Sequence, residues 1–427
     1  MTDTASSTAG RPVLPTDYDP MDVDFWSHGS APRADYFRLA RDTVPVAFSP
    51  EPEIPGMPPP GPGFWSVSRF EDVMHVSRHP DIFSSAKGTN IFDLPDGVAE
   101  FMGSMINMDS PRHTRVRMIV NRAFTPRMVA RIDDDVRVKA RAIVAAMADR
   151  GECDIVTDLA APLPLQIICE MMGIPNEEWN HIFEMTNIIL GDETTTPDLE
   201  TLMGAILTLA QLAQAVGEDR LANPQDDLVS AMMHAEVDGE TLSPSEMASF
   251  FILLAAAGNE TTRNAITHGI KALTDHPDQR AIWQADPENV SATAVEEIVR
   301  WATPVIHFRR TATQDTKIAG VPIAEGEKVV MWYESANRDE RAFEDPFRFD
   351  VTRSPNEHVG FGGGGPHFCL GANLARREIR VMFEELFRWV PDIAASGEPE
   401  YLKSSFIHGI KSLPATYTPA AVPALDA

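Results

Sequence analysis

The sequence predicts a mainly α-helical protein with a small β portion, an α+β class. Three observations carry this. From about residue 110 to 300 the chain reads mostly as helix, with loops flagged by "GDETTTPD" and "HAEVDGETLS". Short strand-like pieces, "VPVAFS" and "FWSVS", precede that stretch, and "TKIAGVPIAEGEKVVMWY" follows it with turn signals between its strands. No linker interrupts the middle of the 427 residues, although length alone would allow about two to three average domains.

In chain order, residues 1–20 read as a disordered lead, and 21–427 as one domain. "SPEPEIPGMPPPGPG", 49–63, is a Pro/Gly loop joining the first two strand-like pieces. A long helix starts at "SPSE": Ser243 caps, Pro244 suits the first helical position, and Glu246 completes a capping box. It meets no stop until near Asp275, a length of ~48 Å. In its middle Gly258, Asn259, Glu260, Thr261 and Thr262 interrupt an apolar stretch, where glycine costs about 1 kcal/mol against alanine. Strand patterns follow after 310, then four glycines, Gly362 to Gly365, and Pro366, His367, Phe368 and Cys369. A helix from about 371 to 388 and a strand-rich tail, "YLKSSFIHGIKSLPATY", close the chain.

An apolar content of 43% allows a large core. With 36 Lys and Arg against 63 Asp and Glu, the net charge is −27, which argues against nucleic acid and anionic membranes as main partners. Three cysteines, Cys153, Cys169 and Cys369, show no CxxC spacing, so a reducing compartment fits best. The N-terminus lacks a signal-peptide pattern, and apolar runs such as "FFILLAAAG" stop well short of the ~20 residues of a membrane span. A cytoplasmic protein without a membrane span is the expectation.

Three features suggest chemistry, and each has a plain structural alternative. Cys369 reads either as a buried free cysteine or as a thiolate favoured by a helix N-terminus and loop N–H groups. A phosphate loop is excluded, because no Lys follows the glycines. Zinc would need more Cys and His than the nearby His367. Glu297 and Arg300 in "EEIVRW" read alone as a surface ion pair of little energetic weight. Glu260 and Thr261 in "AGNETT" read alone as a kink or capped bend.

The conjunction, in this order and at these separations over nearly the whole chain, resembles the cytochrome P-450 family of haem-thiolate monooxygenases. The resemblance implies that fold as a single haem-binding domain, with haem b as cofactor and Cys369 as its iron ligand. Cysteine thiolate on haem iron favours O–O cleavage. Thr261 would hold the reduced oxygen species or its water by a hydrogen bond, and Glu260 would connect it to bulk solvent. Ala257 and Gly258 would leave room for oxygen. The haem propionates would meet His113 and Arg117 of "DSPRHTRVRMIVNRAF", Arg310 rather than Arg309 of "HFRRTATQD", and His367. Glu297, Arg300 and Arg348 would buttress the cysteine loop. Phe361 stands eight residues before the cysteine where the family has its Phe seven before, so its packing on the haem is open.

That lengthened loop, with "AGNETTRNAITHG", is similar to a bacterial subgroup that oxidises sterols and methyl-branched lipids at a chain terminus. It implies an apolar lipid substrate hydroxylated with O2. Residues 88–108 would form a variable lid, and Val305, Ile306, Phe406 and Ile407 would line the pocket. Electrons from NAD(P)H would come through a ferredoxin reductase and a ferredoxin, docking on Arg376, Arg377 and Arg380. The alternatives are a peroxide-driven peroxygenase, in-chain hydroxylation of a terpenoid or fatty acid, and a non-catalytic haem sensor.

Overall fold

The computed structural model describes residues 10–423 except 28–29, 52–59, 94–103, 124–125, 192–198 and 238. Part of the proline-rich loop and residues 94–103 of the expected lid therefore lie outside the described residues, as do residues 1–9 of the expected lead. Within 10–20, Leu14 is buried and the Phe48 N–H donates to the Pro12 carbonyl at 2.8 Å. Those residues belong to the fold.

The centre is the helix Pro244–Asp275. Ser243 Oγ accepts from the Glu246 N–H at 3.2 Å, and Glu246 Oε2 accepts from the Ser243 N–H at 3.1 Å. This reciprocal cap satisfies two backbone donors otherwise left open at a helix start. Thirty-two residues long, the helix packs against Leu199–Ala222, Pro162–Met171, Pro287–Ala302 and Ala372–Trp389. It stays helical through Gly258–Thr262, where the sequence suggested a kink. Surrounding helices cover most of its faces, as expected for a helix in a large core, except along Leu253, Ala257 and Thr261.

A five-stranded sheet lies apart from this body. Its spatial order is Val46–Ser49, Phe64–Val67, Lys328–Trp332, His307–Ala312 and Phe83–Ser84. Phe64–Val67 runs parallel to Lys328–Trp332, and the other pairs are antiparallel. The central strand Lys328–Trp332 is buried along its whole length, which accounts for its unbroken "VVMW" where a half-exposed strand would alternate. The large core sits among the helices, and two smaller ones lie on the sheet and under the N-terminal helices. Among the described residues, no helix is long and apolar enough to cross a membrane.

Candidate active site

The glycine loop docks on the end of the helix Phe70–Arg78. Gly362, Gly364 and Gly365 have φ of 97°, 80° and 79°, a region that L side chains rarely adopt. A Cβ on Gly365 would lie 2.5 Å from the Ser77 carbonyl oxygen, and one on Gly363 would lie 2.9 Å from Ser77 Cβ. Ser77 Oγ donates to the Gly364 carbonyl at 2.9 Å. The glycines thus allow a close approach of the loop to that helix end. The Cys369 N–H donates to the Phe361 carbonyl at 2.9 Å. Arg117 Nη1 and Nη2 donate to the Pro366 and Phe368 carbonyls at 2.8 and 2.7 Å.

Cys369 precedes the helix Ala372–Trp389. Burial pushes its thiol pKa up, while the Gly371 N–H and the charges of Arg117 and Arg376 pull it down. The residue is nonetheless exposed. The loop thus leaves Cys369 open although protein crowds around it. Ala257 is likewise exposed at the middle of the buried central helix, with Leu253 and Thr261 half-buried one turn to either side. That spacing makes one stripe on one helix face. Gly258 does not share it, because its absent Cβ would meet Ile168 Cδ1 at 3.2 Å. Ala257 therefore leaves open space on this stripe, and Gly258 makes space for a neighbouring helix.

Four basic side chains gather beside the loop. The rings of His113 and His367 lie 4.3 Å apart. Burial, then Arg310, His113 and Arg117, hold His367 down to about 3. Burial and Arg117 lower His113, whose Nε2 is buried with no hydrogen-bond partner. Arg310 is 4% exposed; its Nη1 donates to the Arg309 carbonyl at 2.8 Å, and it forms no ion pair among the described residues. Arg309 differs: it pairs with Asp93 at 2.7 Å and donates to the Ile91 and Lys87 carbonyls. Buried cations are ordinarily paired, so Arg310 and His113 together describe an anion site.

Thr261 Oγ1 donates to the Ala257 carbonyl at 2.8 Å. Glu260 is 3% exposed, ion-paired with Arg263, and accepts from Asn264 Nδ2 at 2.9 Å. Arg263 reaches on to Asn187 Oδ1 at 3.1 Å on the helix Trp179–Ile189. The carboxylate is enclosed here rather than in contact with bulk water, in contrast to the expected open link.

Glu297 and Arg300, both 0% exposed, pair through Nη2–Oε1 and Nε–Oε2, each at 2.7 Å. The third member is Arg353, whose Nε reaches Glu297 Oε2 at 3.1 Å; Asn356 and the Asp350 N–H add bonds at 3.1 and 2.9 Å. Arg348, expected in that role, is exposed and contributes only its carbonyl, to Arg300 and Arg353. Both arginines lie in one turn-rich segment, and which one turns inward depends on a chain reversal that no local pattern encodes.

Of the expected pocket residues, Val305 and Phe406 are half-buried, but Ile306 and Ile407 are 0% and 2% exposed. The pair Val305–Ile407 forms a β-bridge, and the Ile306 N–H donates to the Phe406 carbonyl at 2.8 Å. Strand alternation turns Ile306 into the N-terminal core. Phe308, which the sequence did not single out, is half-buried and lies 5.5 Å from Phe406 ring to ring.

An accessible thiol before a helix, a desolvated guanidinium without its carboxylate, an orphaned imidazole nitrogen and an unfilled stripe on the core helix fit haem b, which brings iron and two carboxylates. Comparison with known proteins agrees. The cytochrome P450 family profile matches residues 289–392. The chain is 52% identical to the methyl-branched lipid omega-hydroxylase of Mycobacterium tuberculosis, covering 93% of this chain and 94% of that protein. It is 42% identical to the steroid C26-monooxygenase of Rhodococcus jostii, covering 97% and 88%. A Mycobacterium marinum cytochrome P450 solved in complex with pseudoionone superposes with a TM-score of 0.88 at 43% identity, over 94% and 99% of the two chains. The fold and site define a haem-thiolate monooxygenase. The chain belongs to the cytochrome P450 family, and its cofactor is haem b held by a cysteine thiolate.

Proposed function

We propose that the chain from about residue 10 onward forms one haem-binding domain that hydroxylates the terminal methyl of a methyl-branched lipid or a sterol side chain, with Cys369 as the iron ligand. The observation that carries the ligand assignment is the accessible Cys369 thiol, fixed through its own N–H to Phe361 at 2.9 Å. The relatives' activities on branched lipids and steroids, at 52% and 42% identity, support the substrate class. The half-buried apolar groups Val305, Phe308 and Phe406 add to that support.

When bound, haem iron activates O2, one oxygen atom entering a C–H bond and the other leaving as water with two electrons and two protons. The protein's part is placement. Arg310, His113, His367 and Arg117 supply cations and donors for the two propionates. The Gly371 N–H and the Arg117 and Arg376 charges offset part of the burial that raises the Cys369 thiol pKa, and bound iron would supply the rest of the stabilisation of the thiolate. Thr261, its proton given to Ala257, keeps oxygen lone pairs free to accept from a water in the open space on this stripe. Glu260 hands protons to that water only after its carboxylate swings away from Arg263 and Asn264. A terminal C–H is stronger than its in-chain neighbours, so Val305, Phe308 and Phe406 must hold the chain end near attack distance.

Electrons come from a ferredoxin and its reductase. The expected docking residues are partly engaged: Arg376 pairs with Glu296 at 2.5 Å and Arg380 with Glu384 at 2.7 Å. Arg78, exposed beside Gly364 and without an ion pair among the described residues, is better placed. The test is reconstitution with ferredoxin, reductase, NAD(P)H and O2 on branched fatty alcohols and sterol-4-en-3-ones. Terminal alcohols are expected, and mainly in-chain products overturn the regiochemistry.

A further inference from the structure

Beside the cysteine loop, one carboxylate gathers three elements. Glu296, on the helix Pro287–Ala302, accepts from Arg376 Nε at 2.5 Å and Nη2 at 3.2 Å, and from His358 Nε2 at 2.9 Å. The His358 Nδ1 accepts from the Gly360 N–H at 3.1 Å, which fixes the neutral tautomer with its proton on Nε2, donated to Glu296. Arg376 in turn lies over the Phe361 ring, 4.5 Å from its centroid, and Phe361 is the residue whose carbonyl holds the Cys369 N–H. Burial tends to raise the Glu296 carboxyl, and the bonds from His358 and Arg376 overcome this to hold it at about 2. It is thus fully charged, and both partners are only a third or less exposed.

Glu297 next to it serves the buried fold pair and makes no contact with Arg376. Glu296 instead bonds His358 and Arg376, and so moderates how much of the Arg376 charge reaches the loop. We infer that the Glu296–Arg376 pair, seated on Phe361, is an electrostatic control on the Cys369 thiolate, and so sets the ferric/ferrous midpoint potential of the haem. This rests on Cys369 being the iron ligand. The step concerned is the uptake of one electron by ferric iron, with no bond made or broken in the protein. Reduction adds negative charge at the site, so a nearby cation favours the ferrous state and an anion the ferric state. Glu296 moderates Arg376, and Arg376 acts inward here as a positioning residue more than outward on a partner.

The test is a spectroelectrochemical titration of purified holoenzyme with dithionite and mediators, without ferredoxin. Glu296→Gln keeps the shape and leaves Arg376 uncompensated; its midpoint is expected to rise. Arg376→Gln leaves the carboxylate uncompensated; its midpoint is expected to fall. Each change is of the order of tenfold in the reduction equilibrium, about 59 mV for one electron. The double variant is expected near wild type, and Arg376→Lys, keeping the charge, nearer wild type than Arg376→Gln. The ferrous–carbon monoxide band is recorded for each. Midpoints unmoved in both single variants, with the thiolate-type band intact, overturn the inference alone. A wild-type protein without that band overturns the ligand assignment beneath it.

Discussion

Arg309 and Arg310 are neighbours on one strand with opposite situations. Arg309 is held by Asp93 at 2.7 Å, while Arg310 is buried beside His113 and His367 with no carboxylate. The first ties down the chain around Lys87–Asp93, and the second waits for an anion. Arg310→Gln is therefore expected to lower haem affinity by roughly 10- to 100-fold, the worth of one or two charge-assisted bonds, with no loss of apoprotein stability. Arg309→Gln is expected to do the reverse. Haem titration of apoprotein and its thermal melt separate the two.

Thr261→Ala removes the hydroxyl on the open stripe and keeps the helix. Electrons are expected to flow as before, with less product and more hydrogen peroxide per NAD(P)H consumed, because the hydroxyl proposed to hold the proton-delivering water is lost. Unchanged coupling would make Thr261 no more than a back-bonded helix residue.

Arg353→Ala strips one partner from the fully buried Glu297 and is expected to cost about 3 kcal/mol or more. Arg348→Ala, at an exposed side chain, is expected to stay within about 0.5 kcal/mol. Denaturant melts of the two variants test which arginine completes the buttress.

Stability is expected to fall on mild acidification. Burial holds His268 down to about 3 in the fold, below its usual 6.5. Between those values the unfolded chain binds the proton and the folded chain does not, so folding loses up to about 1.4 kcal/mol per pH unit as pH drops below 6.5. Above 6.5 this residue contributes no slope. Melting temperatures from pH 7.5 to 5 check it, and His268→Gln is expected to flatten the lower part of the curve.

Arg78→Glu is expected to slow reduction by ferredoxin and to weaken its salt dependence, since complementary charge acts mainly on the encounter rate. Arg380→Glu, at a side chain already matched by Glu384, is expected to do less. Stopped-flow reduction at two ionic strengths decides between the docking faces.

Local chemistry was legible in the sequence. The Ser243–Glu246 cap, the start of the helix after the glycines, the strands Val46–Ser49, Phe64–Val67 and Lys328–Trp332, and the order of acid–threonine, ExxR and glycine–cysteine motifs all depend on residues close in the chain, whose spacing fixes their geometry. Positions decided by chain reversals or by which side of a strand faces the core were not legible. Only the tertiary structure turned Arg353 rather than Arg348 onto Glu297, sent Ile306 and Ile407 into the interior, closed Glu260 against Arg263, and set Glu296 between His358 and Arg376. In each case the partners come from separate elements, and burial, which gives a charge its strength, is a property of how those elements pack.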